Sequence, residues 1–182
     1  TFIRTNVLGV TSLLLEFTSH WQKNLNTLEN PIFLHVSTDE VFGDLDVDED
    51  SFTESRKYFP NNPYSASKAA SDHIVRAFHK TYGVPVITSN CSNNYGPFQF
   101  PEKFIPMIIK RALEGDQISI YGDGSNIRDW LYVTDHCSAL RIILEDGLVG
   151  ENYNIGGDSE KSNLTVANTI CEILDALKPK NN

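Results

Sequence analysis

Hydrophobic and polar positions along the chain change period several times, and each change marks an element. From Arg4 to His20, Val7, Leu8, Leu14 and Leu15 fall at helical spacing and predict an amphipathic helix. Ile32-Phe33-Leu34-His35-Val36 is a nearly continuous apolar run, as expected of a strand buried on both faces. After Pro63 the helical period returns as far as about Tyr82, with Ala70, Ile74, Ala77 and Phe78 on one face and Gly83 as the stop. Val84 to Ser89 reads as a second buried strand. Glu102 to Leu113 is then helical, Ile118 to Tyr121 a strand, Gly122-Asp123-Gly124 a turn, and Trp130 to Val133 extended. Thr134 and Asp135 can cap a helix reaching about Asp146. Tyr153-Asn154-Ile155 is a brief strand, and Val166 to Leu177 closes the chain as a helix with Thr165 as its cap.

Strands alternating with helices of this length pair in parallel through right-handed crossovers, which makes the class α/β. Ligands of such sheets bind beyond the carboxyl ends of the strands. Two segments occupy those ends: Ser37-Thr38-Asp39-Glu40 after the first strand, and Asn90 to Pro97 after the second.

Composition narrows the classes further. The 182 residues are 40% apolar, enough for one globular domain or part of a larger one. Acidic residues outnumber basic ones 24 to 15, which argues against a nucleic-acid surface. No apolar run approaches the ~20 residues of a membrane-spanning helix. Cys91, Cys137 and Cys171 are odd in number and form no C-x-x-C pair, so neither a disulfide framework nor a zinc site is expected, and a reducing compartment is. The chain opens Thr1-Phe2-Ile3-Arg4 and its single methionine is Met107, so a segment of a longer protein is expected. Eight acids lie between Asp39 and Glu54 with no base among them. Asp44-x-Asp46-x-Asp48 invites a calcium-loop reading, but Glu49 replaces the required glycine and Ser55 the bidentate glutamate. A solvated acidic loop is the expectation, with no metal.

Tyr64-Ser65-Ala66-Ser67-Lys68 places a phenol and an ammonium one helical turn apart. A lysine that near can stabilise tyrosinate and let the phenol act as a base closer to neutrality; a surface tyrosine beside a surface lysine is the plain alternative. Asp39 and Glu40 directly follow an apolar strand, where adjacent carboxylates suit a cleft better than a core and can divide acid and base roles; the start of the acidic loop is the plain alternative. Asn93-Asn94-Tyr95-Gly96-Pro97 offers amide hydrogen bonds and a tight turn. Arg128 can bind phosphate through its planar fork or pair with Asp129. His35, inside a strand, reads as a core residue. No G-x-G-x-x-G or G-x-x-x-x-G-K-[ST] occurs.

Together these segments resemble the extended short-chain dehydrogenase/reductase family, in its nucleotide-sugar dehydratase branch. The residues that carry the resemblance run in family order over nearly the whole chain. They are His35 to Gly43, Asn62 to Ala69, Cys91 to Pro97, Phe100 to Lys103, Arg128 to Val133 and Tyr153 to Gly157. The Tyr-x-x-x-Lys element is shared with sugar epimerases, whereas the Thr38-Asp39-Glu40 element discriminates, because epimerases usually have serine and alanine or threonine there. The resemblance implies a partial Rossmann-like, doubly wound parallel sheet over residues 1–98 carrying the catalytic residues. Residues 99–182 would be mainly a smaller substrate-binding α/β region, with segments returning to the first.

The resemblance also implies a lyase that uses NAD to convert dTDP-glucose to its 4-keto-6-deoxy product. Tyr64 would take the proton from the 4-hydroxyl as C4 is oxidised, with Lys68 lowering its pKa and Thr38 hydrogen-bonding near the 4-oxygen. Glu40 would then abstract the C5 proton while Asp39 protonates the departing 6-hydroxyl, and hydride would return to C6. Thr5, Ser37, Tyr64, Lys68 and Asn94 resemble cofactor contacts. Asn93, Lys103, Phe104, Ser119, Ile120, Tyr121, Arg128 and Asn163 resemble contacts to the nucleotide-sugar. A cytoplasmic homodimer is implied for the parent, with neither nucleic acid nor membrane as a partner. The family's glycine-rich pyrophosphate cradle and C-terminal arginine-bearing segment have no counterpart in these residues, so the piece alone is expected to be inactive. An epimerase or sibling dehydratase, and a non-catalytic α/β module, are the alternatives.

Overall fold

A computed structural model describes residues 1–25, 27, 29–46 and 49–179. Two compact units emerge from the contacts: Thr1–Cys91 with Cys137–Ile155, and Ser92–His136 with Gly156–Asn182.

The first unit is built on a parallel sheet. Strands β1 (Phe33–Thr38), β2 (Val86–Cys91) and β5 (Asn152–Ile155) lie in the order β1-β2-β5, with Ser37 opposite Asn90 and Thr38 opposite Cys91. β2 is central and its first five residues are buried. Successive side chains alternate between the faces. Val86 joins Leu14, Val75 and Val84 in a core closed by Phe17, Trp21, Ile74 and Phe78 of helices α1 (Val10–Lys23) and α2 (Pro63–Tyr82). Ile87 points the other way, toward Gly147 at the end of α4 (Val133–Asp146). Helices on both faces of a parallel sheet make the fold Rossmann-like and doubly wound.

β1 is an edge strand and departs from the expectation of burial on both faces. His35, Ser37 and Thr38 are buried, but Val36 between them is 40% exposed. The N-terminal helix also differs. Ile3–Gly9 is π-helical before α1 begins, and of the four apolar positions that predict the helix only Leu14 is buried, Leu8 and Leu15 being exposed.

α2 has the bounds its sequence sets. Pro63 occupies the first turn, and Asn62 and Ser65 form a reciprocal capping box. Gly83 closes the last turn at φ 70°, a left-handed conformation glycine adopts without steric penalty. Its buried face is more polar than predicted: Ser65, Ser67, Ser71 and Asp72 are buried with Ala69 and Val75, whereas Ala77 is exposed. The serines are small enough for close packing, and Ser67 and Ser71 donate to the carbonyls of Tyr64 and Lys68 at 2.7 Å.

In the second unit β3 (Asn93–Tyr95) pairs in parallel with β4 (Ile127–Tyr132), and β4 pairs antiparallel with β6 (Glu160–Ser162). Helices α3 (Phe104–Glu114) and α5 (Asn163–Leu177) pack together. Ser162, rather than Thr165, caps α5: its Oγ accepts from the Thr165 N–H at 3.1 Å. Ile118–Tyr121, expected as a strand, is irregular. No described helix is long and apolar enough to cross a membrane, and Cys91, Cys137 and Cys171 form no disulfide.

Candidate active site

The carboxyl end of β1 leads straight into a tight helical turn. Thr38 caps this turn, Asp39–Phe42, by accepting from the Glu40 N–H at 3.3 Å, and its hydroxyl also donates to Asp39 Oδ1 at 3.3 Å. Val41 and Phe42 of the same turn are fully buried against Ala69 of α2, with Phe52 and Tyr58 around them. These anchors leave Asp39 half-buried and Glu40 exposed. The turn ends at Gly43, where φ is 89° and a Cβ would stand 2.6 Å from the Phe59 carbonyl. A side chain there would be both strained and blocked.

Tyr64, Lys68 and Asp72 follow at intervals of four along α2 and share one face. Phe2 packs edge-on to Tyr64 at 5.5 Å, and Asn6 donates to Ser67 Oγ at 2.9 Å, which brings the π-helical stretch with Thr5 alongside this helix. Lys68 Nζ donates to the Val36 carbonyl at 2.8 Å, and Asn62 Nδ2 donates to Glu40 Oε2 at 3.1 Å. Ser37, Thr38, Asp39, Glu40, Tyr64 and Lys68 are therefore gathered at the β1–α2 end of the sheet.

Electrostatics at this end run against one expectation. Burial pushes the Tyr64 phenol above its ordinary range, and Glu40, Cys91, Asp39 and Asp72 push it further the same way. The net shift of the phenol is therefore upward, with burial as its first cause, rather than toward neutrality. Lys68 itself is held below its usual range by burial, a fall that Asp72 and Cys91 oppose. The arrangement supplies one phenol, one ammonium, two neighbouring carboxylates and a hydroxyl: a set able to deprotonate an alcohol, abstract a second proton and protonate a leaving group.

Asp72 was not among the residues singled out from the sequence. Its carboxylate accepts from His35 Nε2 at 2.9 Å and Ser37 Oγ at 2.8 Å, from Tyr58 at 3.0 Å and from Asn90 Nδ2 at 3.3 Å. An aspartate at helical spacing carries no sign of four donors from distant segments. His35 is buried, as expected, but as a member of this polar cluster rather than of an apolar core.

The remaining candidates lie in the second unit. Asn93 and Asn94 stand on β3, and Asn94 Oδ1 accepts from the buried His136 at 2.8 Å. Lys103 precedes α3, and Phe104 opens it and stacks on Trp130 at 5.9 Å. Ser119, Ile120 and the exposed Tyr121 lie in the irregular segment before the Gly122–Gly124 turn, whose last carbonyl accepts from the Leu164 N–H. Asn163 opens α5. Arg128 is exposed on β4 and does not pair with Asp129, whose carboxylate instead accepts the backbone N–H groups of Gly157 and Ser159. Arg128 sits opposite Lys161 in the β4–β6 register. Like charges directly opposite are destabilising, and an anion between them would relieve this. Lys161 lies 33 positions from Arg128, and no local pattern in the sequence joins them. Among the described residues no group of His, Cys, Asp and Glu could hold a metal ion. Asp48 of the rejected calcium motif lies outside the described residues, and Asp44 accepts from Asn61 instead.

Residues 1–181 match the family described as GDP-mannose 4,6 dehydratase. The chain belongs to this family. Within the GDP-mannose 4,6-dehydratase family it is 55% identical over 180 residues to a dTDP-glucose 4,6-dehydratase of Xanthomonas campestris pv. campestris, covering 98% of this chain and 51% of the relative. A dTDP-glucose 4,6-dehydratase of Bacillus anthracis solved with NAD superposes at a TM-score of 0.85 with 49% identity, over 94% of this chain and 52% of that one. A UDP-glucuronic acid 4-epimerase of Bacillus cereus, solved with UDP-glucuronic acid and NAD, superposes nearly as well. Its TM-score is 0.83, over 98% of this chain and 53% of that one, but its identity is only 26%. Backbone shape is thus common to dehydratase and epimerase, and the side chains separate them. The chain spans about half the length of the curated relatives it matches.

Proposed function

We propose that the protein to which these residues belong is an NAD-dependent lyase that converts dTDP-glucose to the 4-keto-6-deoxy nucleotide-sugar, and that this chain carries its catalytic groups. The observation that carries the reading is the pair Asp39–Glu40 at the carboxyl end of β1, gathered with Tyr64 and Lys68 at one end of the sheet. An epimerase needs one base and a rotating keto-sugar. Two extra carboxylates beside that base suit an elimination, which requires a proton taken from C5 and another given to the 6-oxygen.

The residues fit the nicotinamide-ribose part of NAD. A half-buried ammonium, a phenol and the Ser37 hydroxyl at the end of a parallel strand form a donor and acceptor set suited to ribose hydroxyls. Thr5, on the π-helical stretch packed against α2, and Asn94 are further cofactor contacts in this reading. When bound, NAD supplies the hydride acceptor for C4 and the donor for C6. Tyr64 takes the proton of the 4-hydroxyl, and Thr38 orients the 4-oxygen by hydrogen bonding. Glu40 removes the C5 proton made acidic by the 4-keto group, and Asp39 delivers a proton to the leaving hydroxyl. Arg128 binds the diphosphate, with Asn93, Lys103, Phe104, Ser119, Ile120, Tyr121 and Asn163 holding the rest of the nucleotide-sugar. The working protein is a cytoplasmic homodimer.

The test is an assay of the full-length protein against a panel of nucleotide-sugars. Conversion of dTDP-glucose to a 4-keto-6-deoxy product is expected. An epimer formed without water loss overturns the reading, and preference for another nucleotide reassigns the substrate.

A further inference from the structure

The buried carboxylate of Asp72 takes no part in the proton transfers above, yet it accepts four hydrogen bonds. Its four donors come from three separate places: His35 and Ser37 on β1, Tyr58 in the loop before α2, and Asn90 on β2. Two of them lead directly to the catalytic segment. Ser37 precedes Thr38, and Asn90 Nδ2 also donates to the Thr38 carbonyl at 3.1 Å. The same carboxylate lies one turn from Lys68 on α2 and opposes the loss of its charge. A buried carboxylate without partners is costly, and four donors make this one a fixed point to which β1, β2 and α2 are all tied.

We propose that Asp72 is a positioning residue of the active site, holding the carboxyl end of β1 through Ser37 and Asn90 so that Thr38, Asp39 and Glu40 meet the substrate, and keeping Lys68 charged. The proposal deepens the functional reading above and rests on it for its activity readouts. The titratable groups facing Asp72 are His35 from β1, Tyr58 from the loop, and Tyr64 and Lys68 from α2; β2 presents Asn90, with Cys91 next along the strand.

Asp72→Asn is the informative change in the full-length protein. The amide can face its nitrogen to His35, which accepts in its other tautomer, while its oxygen still receives Ser37, Tyr58 and Asn90. Packing is kept and the charge is lost. The thermal transition is expected to survive, KM to stay within about twofold, and kcat to fall on the order of tenfold to a hundredfold, the scale of a small misplacement. The alkaline limb of the pH profile should move to lower pH, because Lys68 loses the negative charge that favours its ammonium. Lower stability with unchanged kcat and an unmoved alkaline limb means a purely structural role and overturns the proposal.

Asn90→Ala, at a residue outside the cofactor and substrate contacts, supplies a check should Asp72→Asn fail to fold. It breaks one tie and leaves the charge, so kcat should fall with the alkaline limb unmoved, and unchanged kcat overturns the positioning claim. Inactivity of the wild-type protein on every nucleotide-sugar would be a failure of the functional reading instead. Asp72 is then judged without turnover, by NMR titration of methyl-labelled lysines with Lys68→Arg as the assignment control. A lower Lys68 pKa in Asp72→Asn sustains the electrostatic tie, and an unchanged one overturns it.

Discussion

At the scale of single residues, the site divides its labour among groups that titrate against one another. Tyr64 is pushed up by burial first and by Glu40 next, so changing Glu40 alters two steps in opposite directions. Glu40→Gln removes the base for C5 and should abolish water loss, lowering elimination by at least about 100-fold on the scale of general-base catalysis. The same change takes a negative charge away from the phenol, so Tyr64 loses its proton at lower pH. Initial oxidation should therefore persist in Glu40→Gln, with its acid limb moved to lower pH. Tyr64→Phe should impair oxidation itself. Single-turnover absorbance of reduced cofactor measures the first step, and solvent deuterium entering C5 measures the second. Equal loss of both steps in Glu40→Gln would remove the division of roles. The candidate residues of this site were legible because reactive side chains at strand ends and at helical spacing declare themselves locally. Asp72 and Lys161 were not, since their meaning lies in partners tens of positions away.

At the scale of elements, legibility followed the range of the forces that set each boundary. α2 begins and ends where its sequence says because Asn62, Pro63 and Gly83 act within a turn of themselves. β3 and β6 are three-residue strands that exist through pairing with β4, and no local period announces them. Ile118–Tyr121 has the composition of a strand but pairs with none among the described residues.

The start of α2 also links an element to the site. Asn62 Oδ1 accepts from the Ser65 N–H at 2.8 Å while its Nδ2 holds Glu40. Asn62→Ala should cost about 1 kcal/mol, roughly 2–4 °C in Tm, and slow elimination as well. Asn62→Asp keeps a cap and places a like charge beside Glu40. Calorimetry should find its stability near that of the parent, while deuterium entry at C5 slows. Matching losses of stability and activity in both variants would show that Asn62 matters only as a cap.

At the scale of the molecule, the feature with the largest physical consequence is the open side of the first unit. β1 ends the sheet order, and the described residues offer no strand to pair with its outer edge. Val36 is exposed on that strand, and Phe2, Ile3, Leu8, Leu13 and Leu15 are exposed along the π-helical stretch and α1. An unpaired edge and exposed apolar side chains favour association with another chain. The 182 residues on their own should thus self-associate as concentration rises, and Val36→Lys, which puts a charge on the edge, should shift the equilibrium toward monomer. Sedimentation velocity over a concentration series reads both outcomes. A monomer at every concentration, unfolding in a single cooperative transition, would show that the edge is harmless. The same isolated chain should bind NAD feebly. Its residues suit the nicotinamide ribose, but tight binding draws on a glycine-rich helix start that receives the pyrophosphate, and the sequence contains no such motif. Titration calorimetry giving a micromolar Kd for NAD would place the main share of cofactor affinity at Ser37, Tyr64 and Lys68, against this expectation.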